Sequence, residues 1–257
     1  MQSHRPIGVF DSGVGGLSIL RALRRELPRE DFVYFSDAGN SPYGERPEAF
    51  AAERSQAIAR QLLHEHGVKA LVVACNTATA AAVSVLRAEH RHVPIVGIEP
   101  ALKPAAALSR TGRVAVFATR GTLSSEKFRL LHGSLAEQAD FVLQPCDGLA
   151  SAIEKHDGAE VRNLCRRYVG SAGEFGSGPG QIDTLVLGCT HYAFASRDLE
   201  EAVGPGVRIV ETGRPVARQA RLLLEASGIL NNSGGAQVAL VTTGCQHALV
   251  QATRRWL

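Results

Sequence analysis

Leu71-Val-Val-Ala-Cys-Asn-Thr77 and Leu185-Val-Leu-Gly-Cys-Thr-His191 share one design: an apolar run, a small residue, a cysteine, then polar side chains. A short apolar run bounded by cap or turn residues reads as a strand buried on both faces, the kind that builds parallel sheets. Upstream of each lies a second matching pair, Ile7-Gly-Val-Phe-Asp-Ser-Gly13 and Val114-Ala-Val-Phe-Ala-Thr-Arg-Gly121. The partners are offset by 107 positions in one pair and 114 in the other, and their order is kept. This near-constant shift points to an internal duplication, with one cysteine just past a buried strand in each half.

Working outward, strands alternate with helices. Leu17, Leu20, Leu23 and Leu27 recur at helical spacing until Pro28. Phe32 to Phe35 reads as a strand, Ala49 to Glu65 as a helix stopped by Gly67, and Ala78 to His90 as a helix of small residues before a strand at Ile95 to Ile98. In the second half, Gly121 to Ser125 reads as a turn and a helix runs from about Ser125. A further helix is expected to start near Phe194, and Gly170 to Gly180 reads as a surface loop. Val207 to Val210, a helix over Pro215 to Ser227, and a last strand at Val238 to Thr242 before a C-terminal helix complete the chain. The fold class is α/β: two pseudo-symmetric lobes, each a mainly parallel sheet flanked by helices, with the active site expected in the cleft between them.

The 257 residues are 45% hydrophobic, enough for one large or two middling cores. A net charge of +3 leaves no electrostatic footprint for nucleic acid and no polybasic membrane segment. No apolar run approaches the roughly 20 residues that span a bilayer. The polar start, Met1 to Pro6, does not read as a signal peptide, so the cytoplasm is the expected location. Five cysteines without a CxxC pair read as free thiols, and no cluster has zinc-ligand spacing.

In open parallel sheets, ligands bind beyond the carboxyl ends of the strands, where helix N-termini offer free N–H groups. Asp11-Ser12, Cys75-Asn76-Thr77, Thr119 to Thr122 and Cys189-Thr190-His191 all belong at that edge. A thiol at a helix N-terminus is biased toward thiolate, its pKa falling from about 8.5 into the range of about 3.5–7.5. Two thiols on opposite walls suit inversion of a stereocentre: one takes a proton from one face, the other supplies one to the opposite face. Asn76, Thr77 and Thr190 are candidate donors to a carboxylate that gains charge in the transition state. Asp11 and His191 are the natural tuners of Cys75 and Cys189. A single cysteine after a strand is more often structural; here the repeat is what favours chemistry. Cys146, Cys165 and Cys245 have no mates, and Cys165 reads as a packed or surface thiol on a helix. The Gly13, Gly15, Gly16 turn lacks dinucleotide-binding spacing. Tyr43 alone would be a packing residue, and His64, His66, His90 and His92 read as solvated.

These segments resemble the glutamate racemases of the aspartate/glutamate racemase superfamily. The resemblance rests on Phe10-Asp-Ser-Gly-Val-Gly-Gly-Leu17, Pro42-Tyr-Gly44, Ala74-Cys-Asn-Thr-Ala78, Ala118-Thr-Arg-Gly-Thr122 and Leu187-Gly-Cys-Thr-His-Tyr192, spread in family order over nearly the whole chain. It implies a first lobe of residues 1–97 plus 208–257 and a second of residues 98–207. It implies Cys75 and Cys189 as opposed acid and base, assisted by Asp11 and His191, with Glu154 as a further acidic residue near the second thiol. It places Asp11, Ser12, Tyr43, Gly44, Asn76, Thr77, Thr119, Thr122, Thr190 and His191 around glutamate. The implied product, D-glutamate, feeds peptidoglycan synthesis and so cell-wall biogenesis and cell shape. Two departures are visible. Ala193-Phe194 stands where the family usually has proline after His-Tyr, and Glu211-Thr212 stands where it usually has Asp-Ser. The family's enteric-type members carry an N-terminal extension for activator binding, and activator control is not expected of the short Met1 to Pro6 segment.

The residues leave rivals open: a racemase of aspartate or a related anion on the same scaffold, a decarboxylase, or a non-enzymatic two-lobe binding protein. A PLP-dependent racemase needs a Schiff-base lysine, and none of Lys69, Lys103, Lys127 and Lys155 lies in a matching loop, so no cofactor and no metal are expected. Glutamate is the expected partner, with nucleic acid and membrane excluded and a homodimer left open.

Overall fold

The computed structural model describes residues 3–257; Met1 and Gln2, part of the polar start, lie outside the described residues. The chain forms two compact units, the first running through Ile98 and including Gly213–Leu257, the second Glu99–Thr212.

The first unit opens with β1 (Ile7–Asp11), α1 (Leu17–Glu26), β2 (Phe32–Ser36), α2 (Glu48–His64), β3 (Ala70–Val73), α3 (Asn76–Glu89) and β4 (Ile95–Gly97). The second contains α4 (Leu102–Leu108), β5 (Arg113–Ala118), α5 (Arg120–Ser124), α6 (Glu126–Gly133), β6 (Asp140–Pro145), α7 (Leu149–Glu154), α8 (Gly158–Ala172), β7 (Thr184–Leu187), α9 (Ser196–Val203) and β8 (Arg208–Val210). The first unit is completed by α10 (Gly213–Ala226), β9 (Val238–Thr242) and α11 (Gln246–Trp256).

Every strand pairing is parallel, in the orders β4-β3-β1-β2-β9 and β6-β5-β7-β8. Read from its other edge, the second sheet is β8-β7-β5-β6, which repeats β4-β3-β1-β2 strand for strand. The repeat extends to single hydrogen bonds. Just past β3 the Ala74 N–H donates to the Phe10 carbonyl at 2.7 Å, and just past β7 the Gly188 N–H donates to the Phe117 carbonyl at 2.7 Å. Cys75 and Cys189 each come one residue later, at one topological position of two like sheets.

Strands β1, β3 and β7 are buried throughout, so helices must cover two faces of each sheet. In the first unit, Ile58, Leu62, Val83 and Leu86 of α2 and α3 pack on Phe10, Leu71 and Val73. In the second, α7, α8 and α9 bury Ile153, Leu164, Cys165 and Leu199 against Phe117, Leu185 and Leu187. Leu102, Ala105 and Phe128 of α4 and α6 pack on Val114, Val116 and Val186.

Four expectations are corrected. Residues 208–212 belong to the second unit, because β8 pairs with β7 through Leu185 and Ile209. Gly121 to Ser125 is mostly the short helix α5, capped by Thr119, rather than a turn. No α-helix starts at Phe194: a 3-10 turn spans Thr190–Ala195 and α9 begins at Ser196. Gly170 to Ala172 is not loop, because Val169 and Ala172 continue the buried stripe of α8.

Candidate active site

In the first unit, the carboxyl edge of the sheet gathers Asp11, Ser12, Asn76 and Thr77 around Cys75, all at least nine-tenths buried. Asp11 closes β1, and its Oδ2 accepts the N–H groups of Gly13 (3.2 Å) and Gly16 (2.9 Å). The glycine-rich turn is thus a cradle for this carboxylate. A Cβ on Gly16 would stand 2.6 Å from the Asp11 Cβ and 3.0 Å from the Tyr34 hydroxyl, so no larger residue fits without displacing Asp11. The Tyr34 hydroxyl donates to the Gly13 carbonyl at 2.7 Å and steadies the same turn.

Cys75 is the N-cap of α3, its sulfur accepting the Ala78 N–H at 3.4 Å. Its thiol also reaches the Ser12 hydroxyl, Sγ to Oγ 3.8 Å. The N-terminal dipole of a 14-residue helix favours negative charge at this sulfur. Asn76, in the first turn, is 4% exposed, yet neither atom of its carboxamide has a hydrogen-bond partner among the described residues. A buried amide left unpaired costs about 1–3 kcal/mol. It is the strongest local sign that this edge is shaped for a ligand.

Tyr43 and Gly44 are buried in a 3-10 turn beside this edge. The Tyr43 hydroxyl donates to Asp37 at 2.5 Å, and Asp37 also accepts two bonds from Arg54 (2.8 and 2.9 Å), one from Thr243 (2.7 Å) and one from Asn40 (3.0 Å). Burial alone would raise the Asp37 pKa, but Arg54 and the other donors hold it below the usual carboxylate range. Burial and the Asp37 carboxylate push the Tyr43 phenol far above its usual value, so it stays a neutral donor. Sequence reasoning missed Asp37 and Arg54. Their signal, an isolated acid after a strand and an arginine on a helix, is indistinguishable from surface charge until the fold joins them.

In the second unit the equivalent edge holds Thr119, Thr122, Cys189, Thr190 and His191, all buried. The Thr119 hydroxyl accepts the Thr122 N–H (3.2 Å) and lies 3.0 Å from the Thr122 hydroxyl. Only glycine fits before the thiol, since a Cβ on Gly188 would meet the Ala118 Cβ at 2.8 Å. Cys189 does not cap an α-helix, only the 3-10 turn, so the dipole expected there is short. A side-chain relay stands in its place. His191 Nδ1 lies 3.7 Å from the Cys189 sulfur, and His191 Nε2 lies 2.5 Å from Glu154 on α7. Burial by itself would lower the His191 pKa, but the Cys189 and Glu154 contacts raise it well above the usual value. Imidazolium and carboxylate therefore face each other behind the thiol. Glu154, expected only by resemblance, is brought to His191 by α7.

The other three cysteines are apart from these contacts. Cys146 and Cys165 are packed in the core of the second unit, where burial raises the Cys165 thiol to about 12, and Cys245 is exposed. At the two departures, Phe194 packs partly against that core, and the Glu211 carboxylate accepts the Ser196 hydroxyl at 3.0 Å. Among the described residues no helix is long and apolar enough to cross a membrane.

Comparison with known proteins identifies the family. The family model for Asp/Glu/hydantoin racemases matches residues 7–220. The chain is 50% identical over 230 residues to the glutamate racemase of Methylococcus capsulatus, covering 89% of this chain and 82% of that protein. It is 47% identical to the glutamate racemase of Pseudomonas syringae pv. tomato, covering 88% and 80%. Among solved structures it resembles glutamate racemase isoform RacE1 of Bacillus anthracis (TM-score 0.86, 30% identity, 99% and 94% covered). It also resembles Escherichia coli glutamate racemase in complex with L-glutamate and the activator UDP-MurNAc-ala (TM-score 0.84, 31% identity, 98% and 95% covered).

Proposed function

Because the chain belongs to the Asp/Glu/hydantoin racemase family, and within it to the glutamate racemases, we propose that it inverts the α-carbon of glutamate with two thiols and no cofactor. In this scheme Cys75 and Cys189 act on opposite faces of that carbon. For one enantiomer the thiolate of one cysteine takes the α-proton, the electron pair passes into the α-carboxylate, and the thiol of the other returns a proton to the opposite face. The reverse direction exchanges the roles.

The difficulty is the weak acidity of a hydrogen beside a carboxylate, so the site must stabilise a developing dianion. Asn76, Thr77, Thr119, Thr122 and Thr190, with the N–H groups beside them, are assigned to the two carboxylates of glutamate. Ser12, Tyr43 and Gly44 complete the binding surface. Asp11, held by the Gly13 and Gly16 N–H groups, orients the substrate ammonium and serves Cys75. His191, held as an imidazolium by Glu154, donates toward the Cys189 sulfur and so favours its thiolate. D-glutamate made in the cytoplasm would supply peptidoglycan synthesis.

The observation that carries this reading is the topological equivalence of the two cysteines, each one residue past the same ladder hydrogen bond and each with its own polar neighbour. The test is Cys75→Ser and Cys189→Ser, followed by circular dichroism of L- and D-glutamate. Each variant should lose racemisation by about 10²–10⁴-fold, the usual contribution of a positioned proton-transfer group. Near-normal turnover by either variant would falsify the two-thiol scheme.

A further inference from the structure

The 3-10 turn after Cys189 holds α7 by both of its ends. His191 takes the far end: its Nε2 lies 2.5 Å from the carboxylate of Glu154, the last residue of the helix. The next residue, Tyr192, takes the near end. Its hydroxyl donates to the Cys146 carbonyl at 3.2 Å, across 46 positions of chain.

That carbonyl is a fixed point. The Cys146 N–H donates to the Ala118 carbonyl at 3.0 Å, which continues the pairing of β6 with β5 one residue past the strand. The same Cys146 carbonyl accepts the Leu149 N–H at 3.3 Å and so opens the turn into α7. Gly148 supplies the left-handed backbone of that turn (φ 80°). On the next carbonyl, that of Asp147, the Tyr168 hydroxyl of α8 donates at 2.5 Å. Tyr192 therefore ties the turn that carries Cys189 and His191 to the place from which α7 is launched.

Core packing does not supply this tie. Leu149, Ala152 and Ile153 bury α7 in the apolar core, and such contacts are non-directional, whereas a hydrogen bond weakens steeply away from its preferred angle. The Glu154–His191 contact is demanding, because supporting groups act only when held within about 0.5 Å of the productive geometry. Tyr192 is fully buried, and a phenylalanine would fill the same space with no hydroxyl to desolvate. Burial and the nearby Cys189 hold its phenol well above the usual value, so it stays a neutral donor. The titratable groups acting on this phenol are Cys189, Cys146, Tyr168 and Asp147, and those acting on His191 are Cys189 and Glu154.

We propose that Tyr192 is a positioning residue for racemisation: by fixing the launch of α7 against the 3-10 turn, its hydroxyl sets the contact of Glu154 with His191 and, through it, the Cys189 thiol. This role rests on the catalytic reading of Cys189 given above.

The test is Tyr192→Phe, which removes one oxygen and keeps the ring. The His191 ring is titrated by NMR in the substrate-free protein, its signals assigned by their absence from the His191→Asn spectrum. In Tyr192→Phe the imidazolium should lose its proton at lower pH than in the parent, because a loosened carboxylate contact stabilises it less. Turnover, kcat, should fall by about tenfold or more, the usual loss when a partner supporting a site group is removed, while KM for glutamate moves less. In a Glu154→Gln background the same change should cost little more, because both act through one contact. Loss of folding by Tyr192→Phe, an unmoved His191 titration, or full additivity with Glu154→Gln would each assign the hydroxyl to stability alone and overturn the proposal. A moved titration with unchanged kcat would overturn it as well, and would place the fault in the catalytic reading of Cys189 rather than in the hold on α7.

Discussion

Replacing Glu154 with glutamine removes the charge behind His191 and keeps the shape. The contact is a 2.5 Å hydrogen bond between side chains 3% and 17% exposed, so solvent screening discounts it little. Hydrogen bonds to charged groups contribute about 1.5–3 kcal/mol. In a domain of this size each kcal/mol moves the melting temperature by about 2–4 °C, so Glu154→Gln should melt roughly 3–12 °C lower near pH 6. The pH dependence carries the sharper test. The folded-state pKa of His191 is raised, so its contribution is complete below the unfolded value of about 6.5 and is lost as pH rises through the folded pKa. The gap between parent and variant should therefore be widest near pH 5.5–6.5 and should narrow in alkali. Thermal unfolding followed by circular dichroism from pH 5.5 to 9.5 measures it. A gap that stays flat or widens with pH would mean that His191 is not held as an imidazolium, and the relay to Cys189 would have to be redrawn.

Asn76→Leu trades an unpartnered buried amide for an apolar side chain of similar size. Thermal stability should hold or rise by about 1 kcal/mol while turnover falls by about a hundredfold or more, and a marked loss of stability would show that the carboxamide serves the fold. Asp37→Asn should destabilise by about 3 kcal/mol at pH 7, since it breaks a buried pair from one side. The Asp37 pKa is lowered by folding, so this contribution is present above the unfolded value of about 3.9 and disappears as pH falls through the folded one. Denaturant titrations at pH 7 and pH 3 should show the variant's deficit closing in acid; an equal deficit at both would contradict the assignment.

Much of this protein was legible in its residues. The buried apolar runs before Cys75 and Cys189 can only be strands covered on both faces, and covered parallel strands require helices between them. The matching runs at Ile7 and Val114 imposed the duplication, and the strand orders repeat it. Weaker signals failed. Strand β6 lies at a sheet edge, buries only Phe141 and ends in proline, so the short Phe141 to Leu143 run did not stand out. The helix expected near Phe194 is displaced because the chain spends six residues in a 3-10 turn that turns His191 toward both Cys189 and Glu154.

Periodicity and burial are local properties, so the chain's own order was enough to specify two like α/β sheets with a thiol beyond a central strand of each. The partners of those thiols are not local. Glu154 meets His191 across 37 positions, Ser12 meets Cys75 across 63, and Asp37 gathers Tyr43, Arg54 and Thr243 from three segments. Only tertiary packing decides which distant charges become neighbours, because the desolvation that makes such contacts strong does not exist until the core closes.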